Sequence, residues 1–304
     1  MQNNLLSLKK QGRMNMFKTW SLFFYFSIIV IGAGYISAQY FGNSNILYFA
    51  VGFSILMSFF SYWFSDKLVL KMTKAKPLNK EEYPEIHEMI VNLSHKAGLP
   101  LPKIYMVDEM APNAFATGRD YKHSVIAVTK GLVQVLDKKE LEGVLAHELS
   151  HIKNKDMLVS TMAVVLAGFI TILSDILLRS LIWGSFSRNN RNGAGGATLV
   201  LALAGAILAP IGATLMRLAV SRKREFLADS SGSLITGNPE GLASALEKIS
   251  SHATPMRAAN NASAHLWISD PFKGMRKKNL ATNVHKLFLT HPPTKERVRI
   301  LRGR

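Results

Sequence analysis

The sequence predicts a mainly α-helical, membrane-embedded chain with a small β-sheet, whose polar part is split in two by an apolar hairpin. Three observations carry this. The apolar residues, 48% of 304, are concentrated in four long runs. Lys and Arg gather at the ends of those runs. The segments between them show the periodicity of soluble helices and, in one stretch, of short strands.

The formal net charge is +17, from 37 Lys and Arg against 20 Asp and Glu. A basic balance of this size suits an anionic membrane surface or nucleic acid. The position of the charges beside apolar runs favours the membrane, and no nucleic-acid-binding module is present. The chain has no Cys. Disulfides, thiolate metal ligands and a cysteine nucleophile are therefore excluded, so a bound metal must be held by His, Asp or Glu.

Taken in order, residues 1–66 form a basic N-terminus and a first transmembrane hairpin. Lys9, Lys10, Arg13 and Lys18 precede an uncharged run from Trp20 to Tyr40. A helix of that length spans about 30 Å, the thickness of the hydrocarbon core. It is too long for a signal peptide, and a second uncharged run, Ile46 to Phe64, follows a short turn at Gly42-Asn43-Ser44-Asn45. Lys67, Lys71, Lys74 and Lys76 come next, while the turn between the runs has no basic residue. The positive-inside rule then places both ends of the hairpin in the cytoplasm.

Residues 67–156 read as soluble. A helix is expected from Lys80 to Ala97, with Ile86, Met89, Ile90 and Leu93 on one side and Gly98-Leu99-Pro100 ending it. Strands are expected at Lys103–Val107, Asn113–Gly118 and Ser124–Val128, the last two joined around Arg119-Asp120. Residues 157–220 form a second hairpin. Its first run, Met157 to Trp183, carries Asp175 and Arg179 one helical turn apart, either an ion pair or a wet face within the membrane. A Gly- and Asn-rich loop follows at 189–196. The last run, Ala197 to Val220, has a kink-forming Pro210 and ends at Arg222-Lys223-Arg224. A buried hydrophobic hairpin is the alternative for these two runs. Residues 221–304 are expected to be soluble again, with a helix opened by Asn238-Pro239, an irregular, mobile stretch from Ala253 to Ala281, and a final amphipathic helix after His291-Pro292-Pro293.

One stretch carries chemistry. Asp137 and Glu140 form a capping box, and Leu141, Val144, Leu145 and Ile152 recur at helical spacing. On that helix lies His147-Glu148-Leu149-Ser150-His151. At about 100° per residue the two imidazoles share a face and can grip one Zn²⁺, with Glu148 between them able to take a proton from water. A catalytic zinc needs a third protein ligand. Glu225-Phe226-Leu227-Ala228-Asp229 offers two carboxylates one turn apart: Glu225 for the metal, and Asp229 to accept the outward N–H of a ligating imidazole. Asp156 either supports the end of the His147–His151 helix or marks where the polar part meets the membrane. His87, His95, His123, His252, His265 and His285 have no ligand spacing and read as structural or solvated.

The set His147-Glu148-Leu149-Ser150-His151, Glu225 to Asp229, Asn113-Ala114-Phe115 and His291-Pro292-Pro293 resembles the HtpX family of bacterial membrane metallopeptidases, over nearly the whole chain. A more distant likeness is to the CAAX prenyl endopeptidases. The resemblance implies a zincin-type catalytic domain divided by the second hairpin, one zinc held by His147, His151 and Glu225, and Glu148 as catalytic carboxylate. It further implies that His291 faces the reacting carbonyl, that Asn113, with Ala114 and Phe115, lies on a β-edge binding substrate backbone, and that Arg297 is a companion basic residue. The expected chemistry is peptide hydrolysis without a covalent intermediate, Glu148 moving the proton from water to the leaving amine.

His151 precedes Met157 by six residues, a rise of about 9 Å in a continuous helix. The site should therefore sit near the cytoplasmic face of the bilayer, where misfolded or damaged membrane proteins are the natural substrates. The family resemblance implies a bacterial inner membrane and a role in quality control and stress response. Two rivals from other classes are a metal-binding scaffold that does not cut, and a four-span transporter with Asp175 in its path.

Overall fold

The structure, a computed structural model, describes residues 2–186, 222–252, 254–259, 263–272 and 292–303, without the side chains of 2–12, 40 and 176–186. Helices α1 (Gln2–Phe41) and α2 (Asn45–Met72) form the first hairpin, and α6 (Met157–Phe186) packs against both. Among the described residues three helices are long and apolar enough to cross a membrane, within Arg13–Gln39, Asn45–Met72 and Met157–Asp175. The run at 197–220 and the loop at 189–196 lie outside the described residues, as does the Arg179 side chain.

The bundle buries Leu22, Phe26 and Val30 of α1 against Val159, Met162, Leu166 and Ile170 of α6. Its outer faces leave Phe17, Trp20, Phe24, Tyr48, Phe49 and Ile55 exposed. A contiguous apolar surface of that kind has no place in water and fits a lipid environment.

The polar part is built on a four-stranded sheet in the order β1-β2-β4-β3. Its strands are β1 (Lys76–Pro77), β2 (Lys103–Val107), β3 (Ala114–Gly118) and β4 (Ser124–Thr129). The β2/β4 pair is parallel; β1/β2 and β3/β4 are antiparallel, which leaves β3 outermost. One sheet face packs on α3 (Pro84–Ala97) and α5 (Lys138–Lys153), through Ile90, Leu93, Ile126, Val128, Leu145 and Leu149. Also in this core are α8 (Pro239–Ser251) and α9 (Thr294–Leu301), by Leu242, Leu246 and Val298. The other face, with Val107, Phe115 and Ala127, packs on Val164 and Val165 of α6 and on Trp267. The sheet is thus clamped between the α3/α5 layer and the bundle of long apolar helices, and Arg119 at its β3–β4 turn donates to the Trp63 carbonyl of α2 at 2.9 Å.

Most elements lie where the sequence places them, and the differences have local causes. Helix α3 begins at Pro84 instead of Lys80, because proline is suited to the first helical position and residues 80–82 form a turn. The two-residue β1 and the single-turn α4 (Lys130–Val135) had no periodicity to announce them. The His151 helix does not run on to Met157. It ends at Lys153, and Lys155 adopts φ 55° before α6 starts. The stretch from Ala253 to Ala281, expected to be irregular and loose, is packed where described: Ala264–Leu266 forms a 3₁₀ turn and Trp267 is fully buried.

Candidate active site

Helix α5 starts at Asp137, whose carboxylate accepts from the Glu140 backbone N–H at 3.0 Å while Glu140 accepts from the Asp137 N–H at 2.9 Å. Glu140 is itself buried, and it also accepts from Ser244 at 2.6 Å and Lys248 at 2.7 Å. The capping box therefore ties α5 to α8 as well as starting the helix. Two glycines allow the helices around α5 to close in. A Cβ at Gly143 would stand 2.7 Å from the Leu242 nitrogen of α8. One at Gly232, on α7 (Arg222–Thr236), would stand 3.0 Å from the His147 nitrogen. The second approach brings the carboxylates of α7 to the histidines of α5.

His147, His151 and Glu225 each offer a ligand atom, all within 4.8 Å of one another. The two imidazole Nε2 atoms are 3.1 Å apart; Glu225 lies 3.9 Å from His147 Nε2 and 3.7 Å from His151 Nε2. Two nitrogens bound tetrahedrally at about 2.0–2.1 Å from an ion would be about 3.3 Å apart, so the donor set and spacing fit one transition-metal ion. Glu148 is buried beside them.

Each imidazole is oriented from behind. His147 Nδ1 lies 3.0 Å from Asp229 Oδ1. Arg297 Nε and Nη2 donate to the same carboxylate at 2.9 and 2.6 Å. His151 Nδ1 lies 3.1 and 3.2 Å from the two Asp156 oxygens. Two carboxylates thus hold two imidazoles with Nε2 facing the common centre.

The electrostatics follow from burial and these contacts. Burial pushes the His147 pKa down, against the pull of Asp229, and Arg297 adds to the lowering. For His151 burial also works downward, but Asp156, Glu225 and Glu148 outweigh it and raise the pKa to about 10. Burial would raise the Asp229 carboxyl, yet Arg297 and His147 bring it to about 2. Arg297 is fully buried but stays charged, its pKa raised despite burial by Asp229, Glu225 and Glu148.

The other sequence-derived residues lie as follows. Asn113 is buried at the start of β3, and its side-chain amide is engaged with the backbone of Ser269. Ala114 follows on the outer edge. Phe115 points to the opposite sheet face and packs edge-on against Trp267, with ring centroids 4.8 Å apart. Arg297 lies behind His147, engaged with Asp229, and is only 2% exposed. His291 falls outside the described residues. Sequence reasoning left the role of Asp156 open. Its signal is the spacing: five residues past His151, it is swung back by the left-handed turn at Lys155, with the Asp156 N–H donating to the His151 carbonyl at 3.3 Å. Asn15 of α1 steadies that turn, donating to the Asn154 carbonyl at 3.3 Å.

A metal-ready trio beside a sheet whose other face rests on a long apolar helix points to a membrane-associated metallopeptidase. Residues 80–304 match Peptidase family M48, and the chain belongs to that family. Among its relatives is the "Protease HtpX homolog" of Thermoanaerobacter pseudethanolicus, 42% identical over 294 residues and covering 95% of each chain. Another is the protein of the same description from Pyrococcus furiosus, 43% identical over 287 residues and covering 94% of each. Among solved structures, S. mikatae Ste24p aligns with 96% of this chain and 66% of its own, at 19% identity and a TM-score of 0.49.

Proposed function

We propose that this metallopeptidase is a zinc-dependent endopeptidase, multi-pass in a bacterial inner membrane, that cleaves misfolded or damaged membrane proteins at the cytoplasmic face. The observation that carries the reading is the position of the metal-ready trio. Asp156, which orients His151, directly precedes the first residue of the membrane-type helix α6. A site so tethered meets polypeptide emerging from a bilayer before it meets anything else. The flanking Lys and Arg support the cytoplasmic orientation.

His147, His151 and Glu225 would hold the metal; the all-N/O donor set without thiolates, with two imidazoles, suits zinc. Bound there, zinc supplies Lewis-acid polarisation of the scissile carbonyl and acidifies water toward a pKa of about 7. Glu148 takes the proton of the attacking water and hands it to the leaving amine. Asp229 and Asp156 keep each Nδ1 occupied, so that both Nε2 lone pairs stay turned to the metal. Arg297 keeps Asp229 ionised for that task. Main-chain hydrogen bonding along β3 would bind an extended substrate with little side-chain preference, which suits damaged proteins of varied sequence.

The test is Glu148→Gln in purified full-length protein, assayed on a membrane protein with an unfolded cytoplasmic loop. Cleavage should fall at least about a thousandfold while zinc stoichiometry stays at one per chain. Undiminished cleavage would remove Glu148 from the role. Orientation is checked on the cysteine-free background by labelling single introduced cysteines in intact cells. A label reaching position 80 from outside would overturn the cytoplasmic placement.

A further inference from the structure

In this fold β3 is an edge strand of the sheet and, among the described residues, pairs with no strand but β4. Thr129 donates to the Asn113 carbonyl at 3.0 Å, and the register puts Ala114 opposite Val128. Alternate residues of an antiparallel strand turn their main-chain groups outward, so Ala114 faces away from β4. A bare edge of this kind binds an added strand.

The edge is already taken. Ile268 N–H donates to the Ala114 carbonyl at 3.0 Å. The Asn113 side chain closes on the next peptide unit, donating to the Ser269 carbonyl at 3.0 Å and accepting from the Ser269 N–H at 3.2 Å. Ile268 stands at Ala114 and Ser269 at Asn113, so the segment runs antiparallel to β3. On its other side the Ile268 carbonyl accepts from Arg297 Nη1 at 3.4 Å. That guanidinium also grips Asp229 and lies 3.4 Å from His147. A short extended peptide therefore lies between the sheet edge and the groups that buttress the metal site. The chain's half of every one of these bonds is a backbone group, so any extended polypeptide could replace it.

We propose that Trp267-Ile268-Ser269 is an internal occupant of the substrate strand's place, and that substrate enters by displacing it. The inference rests on the reading that this site cuts peptides laid along β3. Trp267, fully buried against Phe115, is the anchor from which the segment is held. Substrate and segment offer the same hydrogen bonds, so the competition is set by how firmly the segment is anchored. Restraint of this kind would spare folded membrane proteins and admit chains that present long extended stretches.

The absence of Cys allows a direct test on the full-length, zinc-loaded protein. Facing residues of an antiparallel pair lie about 5.5 Å apart at Cα, within disulfide range. In Ala114→Cys/Ile268→Cys, oxidation should lower cleavage of an unfolded protein substrate at least tenfold, and reductant should restore it, with zinc content unchanged. The comparison is between two forms of one protein, so any direct cost of the substitutions cancels. Conversely, Ile268→Pro removes the N–H that reaches Ala114, and KM should fall severalfold with kcat unchanged. Oxidised enzyme that cleaves as fast as reduced would make the segment a fixed wall of the cleft and overturn the proposal. So would a loss of activity in Ile268→Pro with zinc content and melting temperature intact. If the zinc-loaded parent chain cleaves nothing, the peptidase reading fails first and this proposal falls with it.

Discussion

Metal uptake should release one proton per ion, and the proton should come from His151. His147 Nδ1 faces Asp229 at 3.0 Å and its pKa is lowered, so His147 is neutral with its proton on Nδ1 and its Nε2 lone pair free to accept. His151 Nε2 points at that lone pair from 3.1 Å, while its Nδ1 points at Asp156. Both contacts need a proton on His151, in keeping with a pKa raised to about 10. At pH 8 such a group is about 99% protonated, so a metal must displace about one proton to reach Nε2. Apparent affinity should then rise about tenfold per pH unit between 7 and 9, or about 1.4 kcal/mol per unit. The sign for stability follows. A His pKa raised above its unfolded value of about 6.5 stabilises the metal-free fold fully below that pH, and the contribution is lost as pH rises toward about 10. The gain in melting temperature on adding zinc should therefore grow with pH across this window. The assay is calorimetric titration with chelator-buffered zinc at pH 7, 8 and 9, in buffers of different ionisation enthalpy. A release near zero at pH 8 would show His151 neutral and refute the charge assignment; any release beyond one proton is assigned to metal-bound water, which zinc acidifies toward a pKa of about 7. Asp156→Asn keeps an acceptor at Nδ1 but removes the leading opposite charge. It should reduce the release at pH 8 and weaken zinc binding about 10- to 100-fold.

Other outcomes test the frame around the site. Arg297→Met leaves Asp229 buried without its guanidinium and should cost about 3–5 kcal/mol, read as a lowered melting temperature in detergent. Adding Asp229→Asn to that variant should recover part of the loss, and no recovery would show that the pair is not the cause. The Asp229 carboxyl, depressed to about 2, contributes stability above its unfolded pKa of about 4. That contribution should disappear as pH falls from about 4 to about 2 in the parent chain but not in Asp229→Asn. Gly232→Val places side-chain atoms against the His147 backbone, already 3.0 Å from a Cβ. It should separate α7 from α5 and lower zinc occupancy more than it lowers helix content by circular dichroism.

Local signals account for what was legible in the sequence. The capping box at Asp137 and Glu140 needs only residues three apart, and it starts α5 where expected. His147 and His151 are placed on one face by helical periodicity alone. Apolar runs of membrane length were readable because length and composition suffice, and α1, α2 and α6 show it. The approach of Glu225 and Asp229 could be anticipated as a need for a carboxylate, but not as a distance. It depends on Gly232 letting α7 close on α5.

What the sequence by itself determined is the membrane character, the helix bearing His147, Glu148 and His151, and the residue types able to complete a metal site. These follow from hydropathy, periodicity and donor chemistry, which act over one or two helical turns. Tertiary structure alone decided that Asp156 turns back onto His151, that Arg297 backs Asp229 and that Ser269 lies in the grip of Asn113. The last joins residues 156 positions apart, and the Arg297–Asp229 contact joins residues 68 apart. No local pattern encodes such pairings. They arise because burying a charge or a strand edge is costly until a partner is found, and the folded chain supplies the partner wherever it passes.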